Sequence, residues 1–417
     1  MTPNGRDPIV VIGGGAAGFL AAIFAARAAR GTNQRVLLLE RTHEGGRKIL
    51  MSGGGRCNVL PSELDPRRFV TASSANTMKK ILLSWPLEEQ RRFFEEELGM
   101  PLALEEETGK LFPVSNKARD VRDRLRDLAS REGAELRFDS LVTSLAPHEG
   151  AWRIRLAGDY EIRASRVVIA TGGLSVPATG SDGTGLDIVR HLGHTIHDTY
   201  PALTPLTARP HRYAALTGVS LPVTLEAPLD RRPFVTHGGF LFTHKGYSGP
   251  AVLNASHLAI LSRRAGGPPQ RFTVRWAQLD AEGWDRELRS GDGTVLARLR
   301  ARIPARLAEA LLEDARVEGA TPLAQLKRDE RHRVVQALTR HPLPWSGDEG
   351  YVKAEVTGGG VALDEVDPRT LESRIAPGLF LCGEILDAFG PIGGYNFAWA
   401  WATGRAAGLG AATASVA

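Results

Sequence analysis

Three glycines near the start of the chain, Gly13, Gly15 and Gly18, follow the spacing G-x-G-x-x-G, with Ala16 and Ala17 between the last two. Glycine at these positions lets the backbone turn tightly and approach a pyrophosphate, which then binds at the N-terminus of a helix. The spacing alone is a weak signal. Its meaning depends on the elements that surround it.

Those elements occur in the required order. Ile9–Ile12 is an apolar β-branched run typical of a strand buried on both faces, Phe19–Ala29 has good helix propensity, and Val36–Leu39 predicts the next strand. Glu40 follows at the tip of that strand, where an acid about 20 residues past the glycines would accept hydrogen bonds from a ribose. Arg41 lies beside it. The order favours a dinucleotide site over a plain βαβ unit.

A second polar stretch runs from Arg47 to Asn58 and contains three consecutive glycines. Such a run suits a loop whose backbone lies against something flat or anionic, and a flexible surface loop is the alternative. We expect cofactor contacts from Arg47, Lys48, Ser52, Gly53, Gly54, Arg56, Cys57 and Asn58.

The same stretch holds the candidate catalytic residues Cys57, Arg56 and Lys48. A thiol beside cationic groups has a lowered pKa and can act as a nucleophile or a proton donor. A small packed side chain is an equally good interpretation of Cys57.

Two later segments return to the predicted nucleotide fold. Val167–Ala170 predicts a buried strand that continues into Thr171 and Gly172, and Leu379–Cys382 predicts another that continues into Gly383 and Glu384. A final helix over Ala398–Gly408 follows the Gly393-Gly394 turn. Its N-terminus would place positive potential at the O2 edge of a flavin. The returning segment favours FAD over NAD.

Composition restricts the remaining classes. The 417 residues carry a net charge of +5, and the isoelectric point near 9.3 permits a polyanionic partner. The two cysteines are too far apart in sequence for a dithiol motif. The polar start and the lack of a long apolar stretch predict a cytoplasmic protein without membrane segments.

Two further patterns are ambiguous. His191, His194 and His197 resemble a metal-binding run, but Gly193 should break the helix between them, so we predict no metal. Residues 295–312 and 322–338 look helical and are rich in arginine. These arginines could contact nucleic acid, although a solvated basic face is the safer interpretation.

The elements together predict an α/β protein. A doubly wound, Rossmann-like FAD-binding domain would be built from residues 1–194 and 357–417. A central β-barrel-like domain would comprise residues 195–275 and 340–356, with a helical insert at 276–339. The oligomeric state is not assigned.

Four stretches also resemble one known family, the BaiN/YhiN-like family of bacterial NAD(P)/FAD-dependent oxidoreductases. They are the first glycine motif, Gly46–Asn58, Phe242–Pro250, and Gly383–Asp387 with Gly393–Asn396. The resemblance covers nearly the whole chain. It implies one tightly held FAD, with NAD(P)H as a transient electron donor. We expect the ribitol and pyrimidine end of FAD to be held by Gly383, Glu384, Asp387, Gly393, Gly394 and Asn396, and we expect a further cofactor contact from Tyr395.

Members of this family are credited with reducing conjugated C=C bonds of steroid-like enones or uridine in ribosomal RNA, and some are labelled aminoacetone oxidases. The first hypothesis is therefore hydride transfer from NAD(P)H through FAD to a conjugated C=C bond in a small enone. Alternatives are a ribosomal RNA uridine reductase, an amine or aminoketone oxidase that uses O₂, and an RNA-binding flavoprotein with structural FAD.

Overall fold

The computed structural model describes residues 7–289 and 291–413. The chain forms two compact units, one made of residues up to Tyr200 and from Glu355 onward, the other of Pro201–Ala354.

The strands are, in chain order, β1 (Ile9–Ile12), β2 (Val36–Leu39), β3 (Leu60–Pro61), β4 (Leu102–Glu105), β5 (Lys110–Pro113), β6 (Ala134–Arg137), β7 (Val142–His148), β8 (Ala151–Leu156), β9 (Glu161–Ala164), β10 (Arg166–Ile169), β11 (Ile196–Ala202), β12 (Leu206–Thr207), β13 (Ser220–Ala227), β14 (Phe234–Phe242), β15 (Gly246–Ser248), β16 (Thr273–Arg275), β17 (His341–Pro342), β18 (Gly347–Asp348), β19 (Val356–Val361) and β20 (Leu379–Leu381).

The helices are α1 (Ala16–Ala28), α2 (Arg47–Met51), α3 (Ala75–Leu82), α4 (Leu87–Arg92), α5 (Ala118–Arg131), α6 (Thr184–His191), α7 (Pro250–Arg264), α8 (Ala281–Arg289), α9 (Val295–Arg300), α10 (Ala305–Ala315), α11 (Arg328–Thr339) and α12 (Tyr395–Thr413).

A parallel sheet of five strands, in the order β20-β10-β1-β2-β6, forms the centre of the first unit. Ile9 of β1 pairs with Val36 on one side and Arg166 on the other. Every residue of β1 and β2 is buried, as expected for apolar strands covered on both faces. Because β20 comes from the returning chain, the predicted Rossmann-type sheet built from both chain ends is confirmed.

Two small antiparallel sheets, β3-β5-β4 and β7-β8-β9, complete the first unit together with the β11-β19 pair. The second unit contains a seven-stranded sheet in the order β17-β16-β13-β14-β15-β12-β18. Its outermost strands are only two residues long, and no pairing joins them within the described residues. The sequence pattern is typical of a small barrel or an open sheet, and the structure has the open sheet.

The helical part of the second unit packs against this sheet in a core that includes Trp276, Trp284 and Leu338. The predicted helix over residues 295–312 is two helices, α9 and α10, because Pro304 precedes α10 and cannot lie in a helix interior.

Most arginines of these helices have acidic partners. Arg298 and Arg302 both pair with Glu287, and Arg331 pairs with Asp285. Arg300 and Arg333 also pair with nearby acids. Because acids neutralise this surface locally, its arginine content does not by itself make a nucleic-acid contact.

The packing of α12 on α1 depends on two glycines. A Cβ atom at Gly404 would lie 2.4 Å from the carbonyl oxygen of Ala17, and one at Gly408 would lie 2.4 Å from that of Ala21. Small residues on the facing turns thus bring the two helix backbones into direct contact. This explains why the final helix is rich in glycine and alanine.

We predict that Gly404→Ala lowers the free energy of unfolding by about 1–3 kcal/mol, because overpacking outweighs the gain in helix propensity. Urea unfolding would measure the change. Gly267→Ala is the control, since a Cβ at Gly267 meets no atom within 4 Å. Equal stability of the two variants would contradict the helix-contact argument.

Candidate active site

The three motif glycines have different surroundings. A Cβ at Gly13, whose φ is +105°, would lie 2.5 Å from the carbonyl oxygen of Ala170, and one at Gly18 would lie 1.8 Å from that of Gly13. A Cβ at Gly15 would meet nothing within 4 Å. Gly13 and Gly18 are therefore required by packing, whereas Gly15 borders open space at the N-terminus of α1. We call this region the glycine cradle.

Glu40 is fixed beside the cradle. Its Oε2 accepts a hydrogen bond from the backbone N–H of Gly14 (2.6 Å), and its Oε1 accepts from the backbone N–H and the hydroxyl of Thr42 (2.7 Å each). Glu40 as a whole is 7% exposed. Since a carboxylate accepts about four hydrogen bonds, it keeps capacity for one more donor.

A hydroxyl without a partner lies at the same edge. Thr171 directly follows β10, and its Cα is 3.1 Å from where a Cβ of Gly13 would lie. Its Oγ1 is buried and has no hydrogen-bond partner among the described residues. A buried hydroxyl normally has one. The Thr171 hydroxyl is directed at α6, since a Cβ at Gly185 would lie 1.9 Å from its Oγ1, so only the backbone of Thr171 borders the cradle.

The glycine loop adopts an unusual conformation. Gly53, Gly54 and Gly55 have φ values of 57°, 67° and 85°, all in the left-handed region that favours glycine. They are exposed, and a Cβ at either Gly54 or Gly55 would meet nothing within 4 Å. The loop therefore presents bare backbone that a flat ligand can approach.

The expectation that neighbouring cationic groups lower the pKa of the Cys57 thiol is wrong. Cys57 is 0% exposed, and burial raises its pKa to about 12, although a hydrogen bond with Ser52 opposes the shift. The neighbouring Arg56 lies over the Phe112 ring, 3.9 Å from its centroid, and pairs with Glu105. The thiol is thus neutral and packed within the core.

Lys48 instead belongs to a polar cluster with residues from distant parts of the chain. Its Nζ donates to Glu384 Oε2 (2.7 Å) and to Ser175 Oγ (2.6 Å). Glu384 Oε1 accepts from the Thr357 hydroxyl (2.9 Å) and its backbone N–H (3.0 Å). The Lys48 side chain is 28% exposed, so one of its three N–H donors can serve a ligand.

The sequence analysis missed Ser175 and Thr357. Ser175 follows the predicted Thr171–Gly173 turn and Thr357 begins a run of glycines, but neither has a motif spacing. A Cβ at Gly173 would lie 2.4 Å from Thr357 Oγ1. That close approach, which only the fold creates, brings the two segments together.

Several predicted cofactor contacts hold the protein itself together. Asp387 is 2% exposed, and its Oδ2 accepts from the backbone N–H groups of Ala72 (2.9 Å) and Ser73 (2.8 Å) and from the Ser73 hydroxyl. Asn396 forms two hydrogen bonds with the backbone of Gly390. These side chains shape the segment before α12.

The turn at Gly393 and Gly394 is fixed from the other side. Asn58 bridges it to β3, accepting from Gly394 N (3.0 Å) and donating to the Leu60 carbonyl (3.1 Å). The Tyr395 hydroxyl accepts from Arg68 (2.7 Å). The N-terminus of α12 is therefore held next to the residues that follow the glycine loop.

The outer cationic residues have protein partners. Arg41 pairs with Asp182, and Arg47 donates to the Ala178 carbonyl.

Two predicted cofactor contacts are glycines with left-handed backbone conformations. Gly172 has a φ of +74° and Gly383 has a φ of +81°, and a Cβ at Gly383 would lie 2.9 Å from Ala17 Cβ. Gly383 thus packs beside the start of α1.

The three spaced histidines do not share a site. His194 contacts Glu365 and Ser373, and His191 contacts the Asp187 carbonyl. Within residues 7–289 and 291–413, no group of three potential metal ligands occurs. No helix in that part of the chain is both long and apolar enough to cross a membrane.

A glycine cradle at the carboxyl end of parallel strands from both chain ends defines a Rossmann-type dinucleotide-binding protein. The family described as HI0933-like protein Rossmann domain matches residues 7–410. The chain therefore belongs to the HI0933-like family and is an FAD-dependent oxidoreductase.

Two named relatives are similar over almost their whole length. The chain is 33% identical over 405 residues to the ribosomal RNA dihydrouridine synthase of Escherichia coli K12, covering 95% of this chain and 96% of the relative. It is 32% identical over 416 residues to the 3-dehydro-bile acid delta(4,6)-reductase of Clostridium scindens, covering 97% and 98%. The predicted family resemblance is confirmed.

A solved structure shares the fold at low sequence identity. The 3-ketosteroid-Δ4-(5α)-dehydrogenase of Rhodococcus jostii RHA1 superimposes with a TM-score of 0.52 and 15% identity, covering 99% of this chain and 98% of the other. This similarity supports the fold assignment only.

We predict that Gly15→Val removes at least nine-tenths of the bound FAD while the stability of the apoprotein falls by no more than about 1 kcal/mol. The added Cβ would enter the open cradle without meeting any protein atom within 4 Å. Gly15 has a φ of −86°, which valine can adopt, and the poorer capping by valine accounts for the small loss of stability. Flavin absorbance per protein and urea unfolding would test this. Gly267→Val is the matched control, and full FAD occupancy in Gly15→Val would contradict a pyrophosphate site at Gly15.

We predict that Cys57→Ala retains most of the turnover but loses about 1 kcal/mol of stability through lost packing. The native thiol should also resist alkylation at pH 8. Because the unfolded thiol ionises near its ordinary pKa of 9.0, the stability it contributes is complete below pH 9 and is lost as the pH rises towards 12. A large loss of turnover at unchanged stability would instead assign Cys57 a chemical role.

Proposed function

We propose that the enzyme passes a hydride from NAD(P)H through FAD to a C=C bond conjugated to a carbonyl group. The observation that carries this proposal is the end-to-end similarity to two relatives at 32–33% identity. One relative's name describes the reduction of double bonds in a keto steroid, the other the reduction of uridine. The shared chemistry is the addition of hydrogen across an activated double bond.

The glycine cradle fits the pyrophosphate of FAD. Gly13, Gly15 and Gly18, with Ala16 and Ala17, would surround it, and backbone N–H groups at the start of α1 would favour its negative charge. The free acceptor capacity of Glu40 suits a ribose hydroxyl. The backbone of Ala170, Thr171 and Gly172 would border the cofactor at the end of β10, because Ala170 and Thr171 lie against Gly13.

The flavin end would lie against the exposed glycine loop and the N-terminus of α12. Bound FAD supplies the hydride chemistry, and the protein orients and tunes it. The helix N-terminus after Gly393 and Gly394 provides positive potential for anionic charge. Asp387, Tyr395, Asn396 and Asn58 would act indirectly by holding these segments in place.

Lys48 is better suited than Cys57 to deliver the proton that completes the reduction. Its ammonium is partly exposed and keeps a donor beyond those given to Ser175 and Glu384. The Cys57 thiol is sealed in the core. Arg56 would contribute positive charge at the loop rather than a proton, because its guanidinium remains charged.

Uridine in ribosomal RNA is the second candidate acceptor, favoured by the similarity to the Escherichia coli synthase. Its C5=C6 bond is conjugated to a carbonyl, so the same chemistry applies. The base must leave its stack to be reached, which costs a few kcal/mol.

Anaerobic reduction of the purified holoenzyme tests the proposal. NADPH or NADH should bleach the oxidised flavin band, and a steroid enone or a ribosomal RNA fragment should restore it with formation of the saturated product. Flavin that stays oxidised with both nucleotides would indicate structural FAD. Flavin reoxidised only by O₂, with release of peroxide, would indicate an oxidase.

We predict that Lys48→Met slows product formation at least tenfold, because the transfer of a proton by a side chain contributes about 10²–10⁴-fold. The bleaching of flavin by NADPH should change much less. The matched control is Lys79→Met, which removes an exposed lysine of α3. Equal slowing of both half-reactions would assign Lys48 to cofactor binding instead.

A further inference from the structure

A basic cleft opens on the first unit between α3, the turn at residues 367–374 and the C-terminal half of α12. Its volume is 630 Å³. Four cations, Lys80, Arg369, Arg374 and Arg405, line it together with a single acidic residue, Asp367. We call this region the basic cleft.

Asp367 offsets only one of the four positive charges in the cleft. Its Oδ1 accepts from the backbone N–H groups of Arg369 (2.8 Å) and Thr370 (3.2 Å), so it caps the local turn. Its only ion pair within the described residues is a 3.9 Å contact with Arg374. The cleft therefore keeps an excess of about three positive charges, counted from its lining residues.

Arg405 is a partly buried cation in the lining of the cleft. Its guanidinium lies over the rings of Phe24 and Trp85, at 5.5 Å and 5.3 Å from their centroids. Burial lowers its pKa, against the weaker pull of Glu89 and Glu97. No carboxylate lies within 4.0 Å of it in the described part of the chain. A partly desolvated cation of this kind favours an anionic partner.

Ser84 adds a second unsatisfied donor to the same lining. Its hydroxyl oxygen is buried and has no hydrogen-bond partner in the described residues. A guanidinium and a free hydroxyl together match an oxyanion that accepts several hydrogen bonds, as a phosphate does. The arginines of α9 and α11 offer no such site, because acids already pair with most of them.

The cleft is separate from the glycine cradle. Gly404 of α12 lies against Ala17 at the start of α1, and α12 contributes residues 405 to 413 to the cleft. At 1.5 Å per residue the last α12 residue of the cleft lining, Thr413, lies about 13 Å further along the helix than Gly404, away from the Gly393 turn. Contacts at this distance from the active site suit an extended polyanion rather than a small enone.

We propose that the basic cleft binds backbone phosphates of an RNA substrate while its target base occupies the active site. This inference rests on the proposed function and names its substrate class. Phosphate contacts distant from the reacting base would offset the energy of unstacking it.

The test compares two triple variants of the FAD-loaded enzyme. Lys80→Ala/Arg369→Ala/Arg374→Ala removes three exposed cations from the cleft. The control Arg155→Ala/Arg163→Ala/Arg190→Ala removes the same charge from exposed, ion-paired positions elsewhere on the first unit. Binding of a transcribed large-subunit ribosomal RNA fragment would be measured over a range of salt concentrations.

We expect the cleft variant to bind the RNA at least tenfold more weakly at low salt. The slope of log affinity against log salt should be shallower by about 2, as for the loss of three phosphate contacts. The control should bind within twofold of wild type. Arg405→Met, which keeps a long apolar side chain against the two rings, should also weaken binding. Both triple variants should keep wild-type flavin reduction by NADPH.

Three outcomes would overturn the inference. Equal RNA affinity of the two triple variants would exclude the cleft as the contact. If the cleft variant lost thermal stability but kept its RNA affinity, the three cations would serve only to stabilise the C-terminus of α12, where the helix dipole is negative. Turnover of a small enone without measurable RNA binding would reject the RNA substrate and leave the proposed reductase activity standing.

Discussion

The first unit depends on a contact between backbones that allows no side chain. Gly18 lies so close to Gly13, and Gly13 so close to Ala170, that a Cβ at either glycine would overlap a carbonyl group. This contact sets the start of α1 directly on the ends of β1 and β10. It also leaves Gly15 free of protein neighbours, so the N-terminus of the helix faces open space. Ligand binding and helix packing are thus two results of one steric constraint.

A similar constraint joins the two ends of the chain. Gly404 and Gly408 let α12 contact the backbone of α1, and β20 adds the returning chain to the edge of the parallel sheet. The Lys48–Glu384 ion pair connects residues 336 positions apart. A site assembled in this way requires both terminal segments to be folded, since neither one supplies the glycine loop and the N-terminus of α12 alone.

Whether a basic residue of this protein is available to a ligand depends on its acidic neighbours, not on the overall composition. The excess of basic residues suggests a polyanion-binding surface, yet the arginine-rich helices of the second unit are largely matched with acids. At the basic cleft, where α12 meets the 367–374 turn, four lining cations face a single lining acid, Asp367. The position of the acids therefore decides which basic surface has charge available for a ligand.

The sequence alone determined the βαβ start, the parallel sheet from both chain ends, the family and the positions of the glycine segments. These features are local, because a buried strand, a left-handed turn or a close backbone contact restricts the residue types at its own positions. Only the tertiary structure decided the burial of Cys57, the engagement of Asp387 and Asn396 with backbone, and the addition of Ser175 and Thr357 to the Lys48 cluster. Each of these depends on which side chains meet across long separations in sequence. Tertiary packing determines these long-range contacts, and no local sequence pattern predicts them.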